Sequence, residues 1–205
     1  SLGVCISDDF MNRCMNMDLK ANEILGRIQK KRDETGYPYI FFSDTVNRNK
    51  PAHYKDYTIL GSNLCSEICQ PSTEDESFVC CLMSMNLATI DEWFDTDAVE
   101  IALVMMDAVM EDYLNKIKDD PLMRTSYNSA KKWRAVGIGT LGYHTALQKL
   151  GYPFESEQAR RFNTFAHKTI WERLEKRTKE LAEIFGEPEG LKGTVGDFNV
   201  QGIIK

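Results

Sequence analysis

One stripe constrains this chain more than any other feature. Val99, Leu103, Met106, Val109, Met110, Tyr113 and Ile117 recur at a spacing that lays one broad apolar face along a helix. Asp97 stands where a capping residue opens such a helix, and the pattern carries it to about Lys118. A helix with that face must bury it against another layer, so the chain needs a packed core. The methionines in the stripe read as core packing.

Other segments repeat this punctuation. Residues 18–35 form a helical pattern through Leu19, Ile24, Leu25 and Ile28, with Asp18 as cap and Gly36 as terminator. Ser129 opens a helix to about Leu150, closed by Gly151 with Pro153 following, and Ser156 opens another to about Phe185, closed by Gly186. Tyr37-Pro38-Tyr39-Ile40-Phe41-Phe42 is aromatic and β-branched and reads as a strand, with Pro38 at its start, where a missing N–H does least damage. Asn47 to Tyr57 is polar and loop-like. Thr58 to Ile68 reads as a second strand, Ser72 to Ser77 as an acidic turn, and Ser77 to Met85 as a third strand. Strands alternating with helices predict a helix-rich α/β domain. Residues 195–205 fit no element.

Several function classes are excluded. Net charge is −6, which argues against the clustered cations of a nucleic-acid surface. The longest apolar run, near Ile101–Met106, is too short to span a bilayer, so no membrane association is expected. Ser1-Leu2-Gly3-Val4-Cys5 lacks a basic segment followed by an apolar one, so no signal peptide is expected, and the missing initiator Met suggests processing, such as routine Met removal before Ser, or excision from a longer chain. Six cysteines, at 5, 14, 65, 69, 80 and 81, without a secretion signal point to functional thiols in a reducing, cytoplasmic compartment. Cys65-x3-Cys69 and Cys80-Cys81 resemble zinc spacing only loosely. His53, His144 and His167 are too scattered to complete a ligand set, so no metal site is expected.

Gly61-Ser62-Asn63-Leu64-Cys65-Ser66-Glu67-Ile68 carries the chemistry. In a strand, Asn63, Cys65 and Glu67 share one face, spread over about 13 Å. An amide, a thiol and a carboxylate together suit a substrate with neighbouring hydroxyls. The carboxylate can take a hydroxyl proton, the amide can donate or accept, and the thiol can act as nucleophile or, once oxidised by one electron, as hydrogen-atom abstractor. Spacing alone favours a simpler reading, a solvated strand face with a stray cysteine.

Resemblance changes that balance. Ser62 to Ile68 resembles the signature strand of the class I ribonucleotide reductase large subunit. Glu34 to Phe42 and Asp44-Thr45-Val46-Asn47 resemble the stretch upstream of it. Cys80 with Met85-Asn86-Leu87 resembles the next strand, Gly137 to His144 the start of a helix, and Gly186-Glu187-Pro188 with Leu191-Lys192-Gly193 the approach to a later strand. The likeness covers roughly residues 18–194 in order. It implies a partial ten-stranded α/β barrel of the ribonucleotide reductase type. Residues 1–194 would be a segment of the catalytic barrel and 195–205 a divergent tail.

The resemblance also implies roles. Cys65 would hold a thiyl radical and take hydrogen from C3′ of the ribose. Glu67 would take the 3′-hydroxyl proton, and Asn63 would bind the hydroxyl region. Ser62, Leu64 and Ser66 would complete the substrate-binding run. Cys80 would be one of two thiols that supply electrons and end as a disulfide, with Cys81 its near rival. Cys5, Cys14, Cys69 and Cys81 read as small buried hydrophobes. No cofactor would be bound directly: the radical would come from a metal-containing small subunit, and allosteric nucleotides would bind elsewhere. Expected partners are the remaining large-subunit segments, the small subunit, a ribonucleoside diphosphate and a thioredoxin- or glutaredoxin-type reductant.

Departures bear on this. No segment before Cys65 resembles the strand that carries the partner redox cysteine. After Gly193-Thr194 the chain leaves the family's phosphate-loop pattern. The chain is therefore expected to be one product of a split gene, completed by other polypeptides, or a truncated remnant. A non-catalytic interaction fragment, or a thiol redox or zinc-binding domain, are the alternatives.

Overall fold

The computed structural model describes residues 3–192. The chain divides into two compact units, Ser1–Phe78 and Val79–Lys205. In each, two parallel strands are joined by helical crossovers.

The first unit runs Gly3–Ile6 (β1), Asp8–Met15 (α1), Leu19–Thr35 (α2), Tyr39–Phe42 (β2) and Ser43–Asn49 (α3). Ser7 opens α1 by accepting the Phe10 N–H at 3.2 Å, and Asp18 opens α2 by accepting the Ala21 N–H at 3.0 Å. Both satisfy donors that a first helical turn leaves without a partner. Gly36 ends α2 in the left-handed region, its N–H donating to Arg32 C=O at 2.7 Å. The crossover brings β2 beside β1, with Cys5 opposite Phe41 and Ile6 opposite Phe42. Ile6 and Phe41 are buried.

Two expectations fail in this unit. Asn47 is not in a loop: it lies in the last turn of α3, and a single turn at Ala52–Tyr54 follows, with Tyr54 fully buried. The strand over Thr58–Ile68 is absent. The chain runs irregularly to Asn63, then bends and turns.

The second unit runs Leu82–Asn86 (β3), Ile90–Trp93 (α4), Ala98–Ile117 (α5), Arg124–Trp133 (α6), Gly137–Leu141 (β4), Tyr143–Leu150 (α7) and Glu157–Phe185 (α8). Strands β3 and β4 pair in parallel, Leu82 opposite Gly137 and Asn86 opposite Leu141. Met85 and Ile138 join Leu103, Met106 and Met110 of α5 and Ile170 and Leu174 of α8 in one core. Val109 is the exception in the stripe, at 50% exposed, because it lies about 80° round the helix from Met106–Met110. Arg173 pins α8 to the start of α5, donating to Glu100 Oε1 and to Phe94 C=O, both at 2.7 Å.

The helix expected over Ser129–Leu150 is three elements. α6 ends at Trp133, Arg134 turns left-handed at φ 45°, and the chain then enters β4 and α7. A short, mostly apolar run such as Ala135 to Leu141, buried as far as Ile138, carries no period that separates strand from helix, and its glycines disfavour the helix. The third strand begins at Leu82 rather than Ser77, so Cys80 and Cys81 precede it. The boundary expected at 194/195 lies outside the described residues. Neither strand pair closes on itself among the described residues, as expected of part of a barrel. No helix among them is long and apolar enough to cross a membrane.

Candidate active site

The chain approaches Cys65 along a tethered path. Asn47 Nδ2 donates to Ile59 C=O, and Asn47 Oδ1 accepts the Ile59 N–H, each at 2.9 Å. Lys50 Nζ donates to Tyr57 C=O. The Cys5 thiol on β1 donates to Leu60 C=O at 3.3 Å. Ile59 is fully buried, so its peptide groups need such partners.

Beyond Leu60 the backbone folds on itself. Asn63 Oδ1 accepts the Cys65 N–H at 2.8 Å, and the Cys65 C=O accepts the Ile68 N–H at 3.0 Å, with Ser66 and Glu67 at the corner. Asparagine readily makes this local bond two residues on, and it competes with a strand ladder. Alternation of faces therefore does not organise the site. Ser62, Asn63 and Cys65 are half-buried, whereas Leu64, Ser66 and Glu67 are exposed. Asn63, Cys65 and Glu67 lie within one turn of five residues, with Asn63 bonded to the Cys65 backbone and Glu67 at the exposed corner. Glu67 acts on Cys69: burial first, and then the Glu67 charge, push the Cys69 thiol above its ordinary value.

Strand β2 adds a residue that sequence reasoning missed. Tyr39 meets Tyr37 edge-on with ring centroids 5.2 Å apart. Its phenol is held above its ordinary range, first by the hydrogen bond with Tyr37 and that residue's charge, then by lost solvent and by the charge of Cys65. Tyr39 therefore shares the electrostatic surroundings of Cys65. An aromatic residue at the start of a strand, 26 positions upstream, carried no signal of this proximity.

In the second unit Cys80 and Cys81 differ sharply. Cys80 is exposed. Cys81 packs against the core, its sulfur 3.9 Å from Met106 C=O, and burial, then the Asp107 charge, raise its thiol pKa. Among the expected buried cysteines, Cys14 is buried, Cys69 and Cys81 are half-buried, and Cys5 is exposed. Cys5 departs because Ile6 takes the inward face at that end of β1. No group of three His, Cys, Asp or Glu among the described residues could hold a metal ion.

Comparison with known proteins places this geometry. The family model for the ribonucleotide reductase barrel domain matches residues 6–195. A Frog virus 3 (isolate Goorha) protein, provisionally named a ribonucleoside-diphosphate reductase large subunit, is 38% identical over 93% of this chain and 37% of its own length. The ribonucleoside-diphosphate reductase large subunit of Invertebrate iridescent virus 3 is 37% identical over 88% of this chain and 29% of its own. The structure of the Actinobacillus ureae class Id ribonucleotide reductase alpha subunit superposes with a TM-score of 0.90 at 42% identity, covering 96% of this chain and 38% of that one. The chain thus spans about a third of the length of these two viral relatives. By sequence and by fold it belongs to the ribonucleotide reductase family, as part of the barrel domain of the large subunit.

Proposed function

We propose that this chain supplies the radical-bearing turn of a ribonucleoside-diphosphate reductase and works with the rest of the large subunit. The observation that supports the reading is the Asn63–Cys65–Ile68 turn, in which Asn63 and Cys65 are half-buried and Glu67 is exposed.

The chemistry follows from those groups. A Cys65 thiyl takes the hydrogen atom from C3′ and becomes a thiol, leaving the unpaired electron on the sugar. Glu67 accepts the 3′-hydroxyl proton, and the 2′-hydroxyl departs as water once protonated. Asn63, whose Oδ1 already accepts from the backbone, turns its NH2 end to a substrate hydroxyl. Ser62, Leu64 and Ser66 line the same run. Two electrons come from a pair of thiols that close to a disulfide, and exposed Cys80 is one of them. Cys65 then returns its hydrogen atom to C3′.

The radical comes from a metal-containing small subunit, the disulfide is re-opened by a thioredoxin- or glutaredoxin-type protein, and allosteric nucleotides bind outside this chain. That chemistry requires a reducing compartment such as the cytoplasm. Changing Cys65→Ser in the reconstituted assembly abolishes deoxynucleotide formation. Undiminished turnover in that variant overturns the reading.

A further inference from the structure

We propose that Asn47 is the positioning residue of the Cys65 turn, holding the segment that leads into it by gripping the backbone of Ile59 from both sides. This rests on Cys65 being the reactive thiol.

Residues 58–60 lie in no strand ladder among the described residues, yet Ile59 is fully buried. A buried peptide needs a partner for its N–H and another for its C=O. Asn47 provides both at 2.9 Å, so one side-chain amide stands in for a neighbouring strand. A primary amide offers a donor and an acceptor in one plane, without charge and at any ordinary pH. Its NH2 group also donates to Ser43 C=O at 2.9 Å, which fixes the side chain against its own helix.

That helix begins directly after β2, the strand that carries Tyr39. One residue further on, the Cys5 thiol takes Leu60 C=O. Successive peptides are thus tied to α3 and to β1, and five residues later the chain makes the Cys65 turn. A shift at Ile59 therefore moves Cys65 against Tyr39. Loss of this grip disturbs the reacting atom's placement rather than substrate affinity.

The test uses the complete reductase assembly containing this chain. In Asn47→Ala, kcat per folded molecule falls about tenfold or more, while the ribonucleotide KM stays within about twofold. Maleimide labelling, resolved by mass spectrometry, reports the Cys65 to Cys80 ratio within one molecule, and this ratio changes about threefold or more. Asn47→Asp keeps the acceptor for the Ile59 N–H and removes the donor for its C=O. With one of the two bonds to Ile59 gone, the labelling ratio shifts in the same direction as in Asn47→Ala. This second variant gives the same readout if Asn47→Ala fails to fold. An unchanged ratio in a folded variant, or kcat unaltered per folded molecule, overturns the proposal. Turnover surviving in Cys65→Ser removes the catalytic reading alone and leaves the dependence of Cys65 labelling on Asn47 standing.

Discussion

Asn63 and Cys65 are joined side chain to backbone: the Asn63 Oδ1 accepts the Cys65 N–H at 2.8 Å. One residue therefore shapes the turn and, in the proposed mechanism, also binds a substrate hydroxyl. Two substitutions separate these roles. Asn63→Ala loses the bond, which stabilises the fold by about 0.5–1.5 kcal/mol, and turnover falls with it. Asn63→Asp keeps the acceptor but sets a carboxylate beside the thiol. The thiolate is then disfavoured, so labelling of Cys65 at neutral pH slows while stability in urea stays near the parent value. Equal labelling rates for Asn63→Asp and the parent chain would show that the amide does not face the sulfur.

The two adjacent cysteines give a second contrast. Cys80 is exposed, whereas Cys81 sits against Met106 with its thiol pKa raised by burial and by Asp107. At neutral pH Cys80 reacts with maleimide about tenfold faster than Cys81, because only accessible thiolate reacts. Peptide mapping after a brief pulse reads this directly. Faster labelling of Cys81 would transfer the redox role to it.

Short-range chemistry made much of the fold legible. Asp18 and Ser156 cap helices as read, and Gly36 and Gly151 take left-handed conformations at helix ends, since each signal lies within one turn of its effect. Asp97 occupies the cap position of α5 without a side-chain bond; Thr96 Oγ1 instead accepts the Ala98 N–H at 3.2 Å. Strand β4 was hidden because a buried apolar run has no diagnostic period, and its partner β3 lies over fifty residues away. Around Cys65, the expected strand is a turn. An alternating polar run and a capped turn have the same composition, and only the Asn63 bond separates them. Asn47 and Tyr39 gave no sign of their roles, because each acts across more than ten positions on a partner that only folding brings near.

Acid should loosen the second unit through one carboxylate. Hydrogen bonding from Arg173 holds the Glu100 pKa below its ordinary 4.5, against the opposing effect of burial. A carboxyl with a lowered folded pKa stabilises the fold above its unfolded value, and that stability is lost as pH falls through the folded one. Glu100→Gln lowers the melting temperature at pH 7 and flattens its decline below about pH 4.5. Parallel acid limbs in the parent chain and in Glu100→Gln would assign the acid sensitivity to other carboxyls.

Gly190 is required for a different reason: its Cα faces an aromatic ring. A Cβ built there falls 2.4 Å from Trp133 Cε3 and 2.5 Å from Cζ3, and Trp133 is itself buried against the end of α6. A rigid, buried indole cannot yield as a flexible side chain could, so Gly190→Ala must displace either the ring or the turn at Glu189–Leu191. Overpacking of this kind destabilises by about 1–3 kcal/mol. Tryptophan fluorescence should shift if the ring moves, and urea unfolding measures the loss. Trp133→Leu in the Gly190→Ala background makes room for the methyl group and recovers part of that stability relative to the sum of the single changes. Strict additivity of the two substitutions would mean that the residues do not press on one another.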